Sequence, residues 1–114
     1  MKLITLILIM ASLTQIAGPA SAQTDIKYLE SLSLKVGQSA VIYGYRGDCG
    51  QLPARNAVAL PPLATGTLTV GKQGIKDSGR CGLTPAVEII FTATAPGRES
   101  FEVQGDKITV RVKK

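Results

Sequence analysis

Beyond residue 23 the apolar positions of this chain recur every second residue. Leu32, Leu34 and Val36 alternate with Ser31, Ser33 and Lys35, and Val87, Ile89, Phe91 and Ala93 alternate with Glu88, Ile90, Thr92 and Thr94. Phe101 and Val103 stand against Ser100, Glu102 and Gln104, while Ile108, Val110 and Val112 stand against Thr109, Arg111 and Lys113. Side chains of a strand point alternately to its two faces, so this period predicts ribbons with one dry and one wet face. No window carries a helical stripe with caps. Strands are expected near 28–36, 39–45, 67–70, 86–94, 98–104 and 107–113.

The connections follow from glycine and proline. Gly105-Asp106 reads as a two-residue turn of the type that opens on glycine, pairing Gln104 with Lys107, Val103 with Ile108 and Phe101 with Val110. Ala95-Pro96-Gly97 reads as a second turn, which would make the last three strands an antiparallel meander. Residues 46–64 carry Gly47, Gly50, Pro53, Pro61 and Pro62 and read as mostly irregular; residues 71–85 read as another long connection. Many short strands in so small a body predict an all-β fold, a small antiparallel β-sandwich, with a small barrel as the alternative.

The first 22 residues lack this alternation. Lys2, the apolar run Leu3–Met10, the break at Gly18-Pro19 and the small residues Ala20-Ser21-Ala22 together predict a cleaved secretory signal peptide at 1–22. The apolar run is shorter than a bilayer needs, and no later stretch reads as a transmembrane segment. One domain at 23–114 is therefore expected, in a periplasmic or secreted location. Export changes the meaning of the two cysteines. Cys49 and Cys81 form the only possible pair, and in an oxidising compartment they predict a structural disulfide. Their separation of 32 residues is unlike the close spacing of redox-active pairs.

Composition mostly removes chemistry. The chain has no histidine, and its two methionines, Met1 and Met10, lie in the leader. Imidazole-based triads, proton relays and thioether copper sites are thereby excluded, and no ligand cluster suggests a metal or other cofactor. Thirteen Lys+Arg against eight Asp+Glu give a net charge of +5, with the cations scattered along the chain. Tyr43 and Tyr45 beside Arg46 could form a base-stacking platform, but export and the scattered charge argue against nucleic acid. Ser78 with Lys76 is the one nucleophile–base pair available, and a Gly-rich loop offers the lysine little of the desolvation it needs. Gly66–Lys72 matches a phosphate-binding loop by letters, yet Gln73 stands where a hydroxyl is required. Arg46-Gly47-Asp48 is an adhesion-type tripeptide that also reads as a solvated turn.

The expectation is thus a non-enzymatic binding or structural domain whose partner is an envelope or extracellular protein. The candidate surface is the pair of loops tied by the disulfide, with Arg46, Asp48, Asp77 and Arg80 as its polar contacts. Leu34-Lys35-Val36-Gly37-Gln38-Ser39 and Phe91–Arg98 resemble segments of exported bacterial immunoglobulin-like domains, which implies that sandwich fold. The tryptophan that packs on the disulfide of antibody domains is absent. Val36-Gly37-Gln38-Ser39 and Ala95–Phe101 are also similar in style to chagasin-type cysteine-protease inhibitors, which implies inhibition as the alternative function. Their protease-contacting Asn-Pro-Thr-Thr-Gly-Phe loop has no counterpart here, so the segment 46–64 would have to take its place.

Overall fold

The computed structural model describes residues 24–114; the leader predicted at 1–22 lies outside the described residues. Six strands carry the fold: β1 (Ser31–Lys35), β2 (Ser39–Arg46), β3 (Gly66–Asp77), β4 (Leu83–Ala93), β5 (Gly97–Val103) and β6 (Asp106–Lys113). They form two three-stranded sheets, ordered β1-β6-β5 and β2-β4-β3. All pairs are antiparallel except β1 with β6, which run parallel from Ser31↔Thr109 to Lys35↔Lys113. The all-β sandwich expected from the alternation is what forms. Strands β2 and β3, both in the second sheet, are joined by the long irregular segment 47–65.

The inward residues of the alternating runs meet between the sheets. Ile42, Tyr43, Ile89, Phe91 and Ala93 from one sheet pack on Phe101, Val103, Ile108, Val110 and Val112 from the other. Each is removed from water, the dominant favourable contribution in a domain of this size. Val58, Leu60 and Leu63 of the segment between β2 and β3 also turn inward against this core. That segment contains one 3-10 turn, Arg55–Ala57, and ends where Glu99 Oε1 accepts the Thr65 backbone N–H and hydroxyl.

Three local expectations are corrected. Residues 71–85 are no long connection: β3 runs to Asp77, β4 starts at Leu83, and only a tight turn separates them. Gly71 and Gly74 suggested loop, but Gly71-Lys72 falls at a register shift in β3, and Gly74 is needed for close packing. The meander is also absent, because β4 and β5 belong to different sheets. Thr94 and Ala95 both donate their N–H to Thr65 O, which steers the chain across the sandwich. Finally, the β5–β6 turn is Gln104-Gly105, with φ of 50° and 85°, and the register is Val103↔Asp106 and Phe101↔Ile108. Two positive φ values mark the mirror-image type I turn. The partners shift by two residues, so the buried face survives the change.

The first strand is shorter than expected because residues 24–30 do other work. Ile26 N donates to Ile75 O and Ile75 N to Thr24 O along β3, whereas Leu29 N donates to Ile42 O of β2. The segment thus straps the two strands together. Ile26 is buried against the faces of Gly44 and Gly74; a side chain would collide with it at Gly74 and crowd it at Gly44.

Candidate functional site

Cys49 and Cys81 are joined, with their Cα atoms 5.3 Å apart. The bond ties the chain just past β2 to the Ser78–Gly82 turn of the β3–β4 hairpin, and closing a loop of that span is worth about 3–4 kcal/mol in the chain-entropy model. Beside it, Gly50 N donates to Thr84 Oγ1 at 2.9 Å. The turn is held from within, since Ser78 Oγ accepts Cys81 N–H at 2.9 Å and donates to Gly82 O at 3.1 Å. Both functions of that hydroxyl are committed to the turn.

Next to this clamp lies a cleft of about 390 Å³ lined by Tyr28, Tyr43, Arg46, Lys76, Asp77, Ser78, Gln104 and Asp106. Four segments build it. Strand β2 supplies Tyr43, whose hydroxyl donates to Asp106 Oδ2 at 2.6 Å across the sandwich. The ring of Tyr28, from the strap, meets Tyr43 edge-on with centroids 5.7 Å apart, and its hydroxyl donates to Lys107 O at 2.6 Å. Strand β3 lays the Lys76 ammonium over the Tyr43 ring, 4.1 Å from its centroid, a cation–π contact. From the β5–β6 turn, Gln104 Oε1 accepts Arg46 N–H at 3.1 Å and its Nε2 donates to Arg46 O at 2.8 Å, locking one hairpin end to the other sheet.

This packing moves three protonation equilibria, and desolvation followed by the charges of Asp106 and Glu30 raises the Tyr28 hydroxyl. Burial, then the hydrogen bond to Asp106 and the charge of that carboxylate, pushes the Tyr43 hydroxyl far above the usual tyrosine value. Burial lowers Lys76, with Arg46 adding to the effect and Asp106 opposing it. A second, more open cleft of about 670 Å³ adjoins the first; Arg46 and Gln104 border both.

Of the four residues proposed from sequence, Arg46 and Asp77 line the first cleft, and Asp48 lines the second beside Arg46. Arg80 lines neither and projects from the exposed turn next to Cys81. Lys76 does share the cleft with Ser78, as a nucleophile–base pair would require. Tyr28, Gln104 and Asp106 were not singled out, and they lie 58 to 79 positions from the partners they bond or 63 in the case of Asp106. Tyr43 is buried with Lys76 over its ring. Tyr45 is half-buried against the core, lines the second cleft and accepts Ala59 N–H at its hydroxyl, so the two rings do not form one exposed platform. Among the described residues no group of three or more metal-ligating side chains converges, and no helix is long and apolar enough to cross a membrane. Searches against protein-family models, curated proteins and solved structures find no match to this chain.

Proposed function

We propose that the chain is an exported, non-catalytic binding domain that recognises a protein of the envelope or extracellular space through its disulfide-clamped end. The observation that carries this reading is the convergence of Arg46 and Lys76 in one preformed cleft, held by a covalent bond and by the Gln104 and Tyr43 cross-sheet hydrogen bonds. A partner that brings an acidic and a basic side chain there meets Arg46 and Lys76 beside Asp77 and Asp106, in a partly water-excluded cleft where a charge-assisted bond is stronger than on an open surface. Rigidity of the rim lowers the entropy lost on docking. The committed Ser78 hydroxyl supports a non-catalytic role. The inward turn of Val58, Leu60 and Leu63 lays the 47–65 segment along the body, which favours this reading over a protruding inhibitory loop.

The test is retention of envelope proteins on the immobilised wild-type chain, on Arg46→Glu and on Arg80→Glu, followed by identification of whatever is retained. The expected result is a defined protein held by wild type and Arg80→Glu and lost with Arg46→Glu. Equal retention by wild type and Arg46→Glu would overturn the assignment, and inhibition of papain at micromolar concentration would replace it with the inhibitor reading.

A further inference from the structure

The cations that look scattered along the chain are gathered by the fold on the outer face of the β1-β6-β5 sheet. Arg98 lies directly across from Arg111 on β5 and β6; on the other side of β6, Arg111 faces Ser33 and Lys113 faces Lys35. Strand geometry sets these positions about 5 Å apart across the sheet and about 7 Å apart along it. Like charges placed opposite one another destabilise a sheet. Here they have no internal remedy, because among the described residues none of the four has a carboxylate within ion-pair distance. The acids at the margin are Glu102, paired in register with Lys107 two rows away, and Glu30 ahead of β1.

Two hollows divide this strip. One, of about 200 Å³, lies between Arg98 and Arg111 and is floored by Ser31, Ser33 and Thr109. The next, of about 220 Å³, lies between Lys35 and Lys113 and shares Ser33 with the first. Each has the size for one anionic group with two cations beside it. Between the strands Ser100 Oγ and Thr109 Oγ1 are 2.8 Å apart, so hydroxyls continue the polar surface. The apolar residues of these strands, Phe101, Val110 and Val112 among them, point into the core.

We propose that this face binds an anionic polysaccharide, taking successive charged groups of one chain in the two hollows while the serine and threonine hydroxyls meet the sugar hydroxyls. Charge complementarity and the repeat of the hollows identify a linear polyanion. The two hollows are lined by no aromatic ring on which a base could stack. Leu32 and Leu34 at their edges are packed against the core, and Val36 beyond β1 is a single exposed apolar side chain rather than an apolar face, which favours sugar over single-stranded nucleic acid or lipid. This surface is distinct from the clamped cleft and does not depend on it.

The test measures binding of the purified protein at about 0.15 M salt to immobilised dextran sulfate and heparin, with neutral dextran, single-stranded DNA and phosphatidylglycerol vesicles as comparisons. Two double variants remove equal charge: Arg98→Gln with Arg111→Gln on the face, and Lys27→Gln with Arg80→Gln away from it. The sulfated polymers should bind, and the face variant should weaken that binding about tenfold or more, with the control variant close to wild type. No binding of either sulfated polymer, equal losses in both variants, or tighter binding to DNA or vesicles would overturn the proposal. Unchanged far-ultraviolet circular dichroism of the face variant shows that its loss is not unfolding.

Discussion

At the scale of single residues, Gly74 shows how closely the strap is fitted. A methyl group there would come within 2.6 Å of Thr24 O and 2.9 Å of Ile26 Cδ1, whereas at Gly44 the nearest contact is 3.2 Å. Gly74→Ala should therefore cost about 1–3 kcal/mol, and Gly44→Ala less, measured by urea unfolding. Tyr43 makes the residue-scale case for pH. Its folded value lies above the ordinary value near 10, so its contribution to stability is complete below that pH and is lost as the pH rises beyond it. Lys76 acts oppositely: its folded value lies below 10.5, so the penalty on its buried charge disappears as the pH climbs through that value. Unfolding midpoints from about pH 8 to 11 should fall at the alkaline end. The fall should flatten in Tyr43→Phe and steepen in Lys76→Met, and tyrosinate absorbance should show Tyr43 ionising last.

At the scale of elements, the β5–β6 turn explains why local pattern located the hairpin but missed its register. A glycine-first turn at Gly105-Asp106 satisfies local preference, and the buried face is the same in either register. What selects Gln104-Gly105 is distant: Asp106 must stand on the strand to accept the Tyr43 hydroxyl, and Gln104 must face Arg46. Gln104 is the one non-glycine residue with positive φ among the described residues, a strain offset by its two hydrogen bonds. Asparagine favours that backbone conformation but is one methylene too short for both bonds. Gln104→Asn should leave the fold intact and accelerate hydrogen exchange at the Arg46 amide at least several-fold. The same logic bounds what could be read of the site. The disulfide spacing pointed to Arg46 and Asp77, since each cysteine fixes its near neighbours. Tyr28, Gln104 and Asp106 arrive from elements whose placement depends on cross-sheet packing. Local pattern truncates strand β3 because Gly71 and Gly74 carry the signature of a loop, whereas Gly74 is there to admit Ile26 and Gly71 lies close against Glu88 and Ile90 of β4.

At the scale of the whole molecule, the sandwich separates its surfaces. One end is clamped by sulfur and holds a cleft of mixed charge, while the cationic strip lies on a sheet face, so each can be altered without disturbing the other. The parallel pairing of β1 with β6 has a mechanical consequence. The chain enters β1 at Ser31 and leaves β6 at Lys113, so tension applied through the two chain ends pulls these strands past each other along their length. The hydrogen bonds from Ser31↔Thr109 to Lys35↔Lys113 are then loaded together in shear, whereas pulling apart the β5–β6 pair from one end would open its bonds one at a time. Single-molecule stretching from the termini should show the strap between residues 24 and 30 yielding first, then one higher force peak. Val36→Pro, which removes the N–H that donates to Lys113 O at 2.9 Å at the end of this ladder, should lower that second peak and leave the first unchanged. A domain of this build can stay folded when its two ends are attached to bodies that move apart.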